Sequence, residues 1–201
     1  MFREFVSTYL RGLEACRLEV SDEELERVLG LLLTAHEAGR TVFVLGNGGS
    51  ASMASHLACD LGKGTAIPGH RRLRVISLAD NQALVTAWAN DTGYEMVFKE
   101  QLENLLEPGD VVIAISASGN SPNVIRAVEY ARERGAVTIG FIGFGGGRLK
   151  SLVDFDITVS SRNYGQVEDY HLTLGHIFSQ YLRKCFSEQE ATANAAVESR
   201  T

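Results

Sequence analysis

The sequence predicts an α/β fold in which a parallel sheet is covered by helices on both faces. Three observations carry that expectation. From residue 41 onward, short apolar runs alternate with helix-like segments. The runs are almost continuously apolar, as strands buried on both faces must be. The chain has 201 residues, 45% of them hydrophobic and 22% charged, which is enough for one domain with a full core and too short for two comfortable ones.

Each element follows from its own pattern. Residues 2–18 carry Phe5, Leu10, Leu13 and Cys16 at loosely helical spacing. A second helix begins at Ser21, where Ser21 and Glu24 have capping-box spacing, and runs through Leu29, Leu32 and Leu33 to a stop near Gly39. Both helices precede the first strand and have no sheet partner in sequence, so residues 1–40 pack against the domain or against another subunit, and oligomer packing is the use expected here. Next come TVFVL at 41–45 with a helix over 50–61, LRVISL at 73–78 with helical segments through 106, and VVIAI at 111–115 with a helix over 121–134. VTIGFI at 137–142 leads into Gly145-Gly146-Gly147, and FDITV at 155–159 leads into a helix over 167–186. Residues 41–186 therefore read as the domain, and 187–201, without an apolar face, as a frayed tail.

Two turns mark the chemistry. Gly46-Asn47-Gly48-Gly49-Ser50 and Ser116-Ala117-Ser118-Gly119-Asn120-Ser121 each follow a strand and open a helix. Glycines let backbone amides point inward at a partially positive helix start, and the second turn adds three hydroxyl donors. A phosphorylated small molecule fits such a pair, at the carboxyl ends of the strands where ligands of these sheets gather. Neither turn has dinucleotide-binding spacing or a Walker lysine, which argues against a nucleotide.

Composition excludes other partners. With 19 basic and 25 acidic residues the net charge is −6, which offers no general attraction to nucleic acid or anionic membranes. The basic run His70-Arg71-Arg72-Leu73-Arg74 is expected to be a solvated loop. Three widely spaced cysteines suit reduced thiols and a cytoplasmic location. Glu4 and Arg11 interrupt the opening apolar residues, so no leader is expected, and no run reaches membrane-spanning length.

Acid, base and metal candidates fall in two places. His56 and Asp60 share one helix face at i and i+4, which suits a shared metal or a plain surface ion pair. Glu168, Asp169, His171 and His176 interrupt an otherwise apolar final helix, so at least one of these polar groups is expected to be buried or interfacial.

GNGGSASMASHLACDLGKG, SASGNSPNVIRAVEYARERG and VEDYHLTLGH, in that order, resemble the sugar isomerase (SIS) domain family, and within it the bacterial phosphoheptose isomerases, over roughly residues 5–186. The resemblance implies a five-stranded parallel sheet in a flavodoxin-like three-layer sandwich, a homotetramer with active sites at subunit contacts, and zinc-dependent aldose–ketose isomerisation of a sugar phosphate, sedoheptulose 7-phosphate above others. Carried over by position, it places the phosphate at Ser50, Ser116, Ser118 and Ser121, and Asn47, Gly48, Asn90 and Asp91 near the sugar. It places a metal on His56, Asp60, Glu168 and His176. Three positions depart from the family pattern: Asp60 stands for a glutamate, Glu168 for a glutamine, and Ala117 for a hydroxyl residue of the phosphate loop. Asp60 or Glu168 is then the base, with His176 assisting ring opening or proton transfer. A non-catalytic sugar-phosphate-binding regulator or scaffold is the competing reading, and retention of His56 and His176 favours the enzyme. Glu168 and His176 lie about 12 Å apart along one helix, so either Glu168 precedes the regular helix or the two ligands come from different subunits, the expectation preferred here.

Overall fold

A computed structural model describes residues 1–198, apart from the side chains of 193–198. Five strands, Thr41–Gly46 (β1), Arg74–Ser77 (β2), Val111–Ser116 (β3), Val137–Ile142 (β4) and Phe155–Thr158 (β5), form one sheet in the order β2-β1-β3-β4-β5. All pairings are parallel: Val42 lies opposite Val75 and Val111, and Ile139 opposite Ile113 and Phe155. The chain leaves β1 toward one edge and returns to lay β3 on its other side. The carboxyl ends of β1 and β3 thereby border the crevice in which doubly wound sheets bind ligands.

Strand residues alternate between faces. Val42, Val44, Ile113 and Ile115 pack with Phe2–Glu19 (α1), Asp22–Glu37 (α2), Gly49–Cys59 (α3) and Tyr164–Glu198 (α8). Phe43, Leu45, Val112 and Ala114 pack with Gln82–Asp91 (α4), Val97–Leu105 (α5), Pro122–Glu133 (α6) and the short Gly147–Lys150 (α7). The strands begin and end within one residue of their expected bounds.

Four features differ from expectation. The α2 residues Val28, Leu32 and Ala35 share the core of the strands, so this helix covers the sheet of its own chain. In α1, by contrast, Phe2, Phe5 and Leu10 are exposed. The last helix starts at Tyr164 and continues through Glu198, because the alanine- and glutamate-rich residues after Phe186 contain no glycine or proline to stop it. Residues 199–201 of the expected tail lie outside the described residues. The basic run is a loop with exposed arginines, as expected, but it is anchored at one end: the His70 ring stacks on Phe186 at 4.8 Å, and Arg71 caps α2 by donating to the carbonyls of His36 and Glu37. Finally, α3 widens at its end into a π-turn, Asp60–Gly64.

Of Glu168, Asp169, His171 and His176, His171 is the one that α8 buries, at 1% exposure. Burial lowers its pKa from 6.5 to about 4, since the charged ring would lose its hydration. The unfolded chain takes up a proton below pH 6.5 while the folded chain resists until about pH 4, so stability falls with pH across that window, by about 3 kcal/mol in all. Denaturant unfolding at pH 7 and pH 4.5 is expected to show this loss in the wild type and much less of it in His171→Leu. Equal acid slopes would assign the loss to other groups.

Candidate active site

The crevice between β1 and β3 holds a cavity of ≈ 140 Å³ lined by Asn47, Ser50, Ile115, Ser116, Ala117, Ser118, Ser121, Tyr164 and Glu168. Two helices start here without a side-chain cap. Gly48 precedes α3, and Ser121 precedes α6 with Pro122 in its first turn. At α3 the Gly49 and Ser50 amides are therefore left for a ligand; at α6 Pro122 has no N–H and the Val124 N–H is held by Asn123 Oδ1, while the Ser121 hydroxyl, of a type that usually caps, is not used in that way. Ser116 Oγ accepts from the Gly119 N–H at 3.1 Å and Ser118 Oγ from the Asn120 N–H at 3.2 Å, so both hydroxyls keep their own protons to donate.

The triple-glycine segment after β4 shapes the second turn. Gly119 has φ +64°, and a Cβ there would lie well inside the Gly146 carbonyl. Asn120 bridges the two loops, donating from Nδ2 to the Ser118 carbonyl at 2.9 Å and accepting at Oδ1 from the Arg148 N–H at 2.9 Å.

A second cavity of ≈ 280 Å³ adjoins the first and is lined by Gly49, Ser52, Met53, His56, Glu168, Asp169 and Leu172. Glu168 lines both, its carboxylate packed against the first residue of α3, Gly49. From α1, the Tyr9 hydroxyl donates to Asp169 Oδ2 at 2.5 Å, a bond that with burial raises the Tyr9 pKa to about 12.

His56, Asp60 and His176 converge, their candidate ligand atoms all within 4.8 Å of one another. Asp60 Oδ2 lies 3.3 Å from His56 Nε2 and 3.0 Å from His176 Nδ1. That oxygen is buried and has no hydrogen-bond partner among the described residues. A buried acceptor facing two imidazole nitrogens suits a cation, and one carboxylate with two imidazoles is a donor set zinc accepts. The π-turn carrying Asp60 is tied to α8 by Arg183, whose Nη1 donates to the carbonyls of Gly64 and Ala66 at 3.0 Å each.

Glu168 does not join this cluster. It lies inside the continuous helix α8, so the possibility that it precedes the helix is gone, and two turns of regular helix separate it from His176. Asn90 and Asp91 also lie elsewhere. They end α4, pair with each other at 2.8 Å, and line neither cavity. Sequence reasoning missed Asn123, Tyr94 and Tyr164. Asn123 stood in view as a polar residue beside Pro122 in the first turn of an amphipathic helix, whereas nothing in the sequence marks Tyr164, which reaches the cavity from the start of α8 and meets the Phe144 ring edge-on at 4.8 Å.

A family model described as the SIS domain matches residues 4–143. The chain belongs to the SIS domain family. This SIS domain is 36% identical over 189 residues to the phosphoheptose isomerase of Aquifex aeolicus, covering 94% of this chain and 96% of that one. It is 42% identical over 153 residues to the phosphoheptose isomerase of Pelobacter propionicus, covering 76% and 80%. The solved phosphoheptose isomerase GmhA from Neisseria gonorrhoeae superposes with a TM-score of 0.83 at 27% identity, covering 92% of this chain and all of that one. With likeness of this extent, this SIS-domain chain is a sugar-phosphate isomerase of the aldose–ketose kind, an intramolecular oxidoreductase. Among the described residues no helix is long and apolar enough to cross a membrane.

Proposed function

We propose that the chain interconverts sedoheptulose 7-phosphate and an aldoheptose 7-phosphate, with zinc at the cluster of His56, Asp60 and His176. The observation that carries this reading is α3 itself. Anion donors gather at its first residue, Gly49, and His56 lies roughly two turns further on, about 10 Å along the axis. An extended seven-carbon sugar phosphate matches that reach, and a triose phosphate falls short. The curated relatives named phosphoheptose isomerase support the same substrate.

In this reading the phosphate rests on Ser50, Ser116, Ser118 and Ser121, with the backbone at Gly48 and Ala117 beside them, and supplies binding energy that positions the far end of the sugar. The Asp60 carboxylate takes the proton from C1 of the open-chain ketose and returns it to C2, while His176 carries a proton between O1 and O2. The carbonyl thus moves from C2 to C1, so C1 is oxidised as C2 is reduced. Glu168, on the wall between the two cavities, is the alternative base. A divalent metal held here supplies positive charge against the negative charge that develops on oxygen.

Glu168 completes the ligand set from a neighbouring subunit of a homotetramer, and Asn90 and Asp91 reach the sugar in the same way. Exposed Phe2, Phe5 and Leu10 on α1, and Ile177 and Tyr181 on α8 beside His176, supply apolar surface for such contacts. Of residues 1–40, α1 then contributes to oligomer packing, and 41–186 form the sugar-phosphate unit. Three free cysteines fit a cytoplasmic enzyme.

Turnover of sedoheptulose 7-phosphate is the test. Activity is expected, with loss on chelation and recovery on adding zinc. A protein inert toward this and related ketose phosphates would overturn the substrate, and activity indifferent to chelator would overturn the metal.

A further inference from the structure

The two anion-binding turns are joined by a pair of side-chain amides. Asn47, just after β1, donates from Nδ2 to Asn123 Oδ1 at 2.8 Å, and Asn123, in the first turn of α6, donates from Nδ2 to Asn47 Oδ1 at 2.8 Å. Such a reciprocal pair has two settings, because exchanging oxygen and nitrogen in both side chains preserves both bonds.

One further bond removes the ambiguity, and a second fits the setting it selects. The Val124 N–H donates to Asn123 Oδ1 at 3.0 Å, so that atom has to be the acceptor. Asn47 must then turn its NH₂ toward Asn123 and its carbonyl oxygen toward the Asn123 NH₂. At that same oxygen the Tyr94 hydroxyl, from the opposite side, donates at 2.9 Å. Asn123 is 2% exposed and has no room to turn freely, whereas Asn47 lines the phosphate cavity. One N–H of Asn47 Nδ2 has no protein partner among the described residues, and the carbonyl oxygen is fully engaged.

We infer that Asn123 is a positioning residue which, with Tyr94, fixes the Asn47 amide so that it offers the bound sugar phosphate an N–H and withholds its carbonyl oxygen. The inference rests on reading this cavity as the phosphate end of the substrate. The sign of the contact makes the setting matter: an N–H attracts anionic oxygen, while an amide oxygen in its place repels it. The same pair fixes the separation of the two turns, since Asn47 belongs to one and Asn123 to the helix that follows the other.

A double-mutant cycle tests it, read by calorimetric binding of inorganic phosphate and by KM and kcat for sedoheptulose 7-phosphate. Asn47→Ala and Asn123→Ala are each expected to weaken phosphate binding and raise KM by about ten-fold, with kcat changed far less, and the double variant to be no worse than either single one. Tyr94→Phe removes one exposed hydroxyl without threatening the fold. It is expected to give a smaller loss that disappears in the Asn47→Ala background, which keeps the test decisive should Asn123→Ala fail to fold. Independent, multiplying effects would overturn the inference, as would a fall in melting temperature and kcat with KM and phosphate binding unchanged. A wild-type protein that binds no phosphate would overturn the reading of the cavity and the inference with it. Phosphate binding without turnover would overturn the isomerase substrate alone.

Discussion

Asp60→Asn is expected to leave a folded protein that binds inorganic phosphate with wild-type affinity and has lost about 10²- to 10⁴-fold in kcat, the range that a positioned general base contributes. The substitution preserves shape and removes the charge that both proton abstraction and cation binding require. Asp60 faces His56 and His176 at 3.3 and 3.0 Å, and its Oδ2 has no hydrogen-bond partner among the described residues to share the loss. Phosphate binding is spared because the serine turns lie at the far end of α3. Kinetics on Asp60→Asn and Glu168→Gln side by side check the assignment. An active Asp60→Asn beside a dead Glu168→Gln moves the base to Glu168, and activity in both removes the carboxylate mechanism.

Gly119→Ala is expected to cost about 3 kcal/mol or more of stability and to abolish phosphate binding. Its left-handed backbone alone costs an alanine about 1–2 kcal/mol. The new methyl also meets the Gly146 carbonyl, and overpacking of that kind adds about 1–3 kcal/mol. Neither side can yield cheaply, since the Gly119 carbonyl accepts from the Leu149 N–H at 2.9 Å while its N–H is held by Ser116 Oγ. Gly145→Ala is the control. Gly145 also has positive φ, at 80°, but a Cβ there meets nothing within 4 Å, so it should lose only the backbone part and keep phosphate affinity. Denaturant unfolding and phosphate calorimetry on the two variants separate the effects, and equal behaviour would mean that the Gly146 contact has no role in holding the turn.

The strands were legible because each is an uninterrupted apolar run between turn residues, a pattern that nearest neighbours alone determine. The two serine- and glycine-rich turns were legible for the same reason, and the strand order then placed both at one crevice. Other features depend on groups far apart in sequence. The Asn47 and Asn123 pair spans 76 positions, and the Arg183 contact with the π-turn spans more than 100. Local spacing carries no trace of either. His56 and Asp60 were visible as an i, i+4 pair, but the arrival of His176 beside them depends on how α8 crosses α3. Glu168 shows the opposite limit. Its place in a functional phrase was plain, yet helix pitch holds it away from His176 within one chain.

Helix α8 carries Tyr164, Glu168, His176 and Arg183 on one rod that follows the last strand. Domains fold as units, and α8 also lays Val167, Tyr170, Leu174 and Phe178 over one face of the sheet. A nascent chain that has emerged only as far as β5 therefore carries every strand and both serine-glycine turns in sequence, yet lacks the cover for that face, the second imidazole and the strut that braces the π-turn. Release of the last helix from the ribosome completes the core and the candidate site in one step.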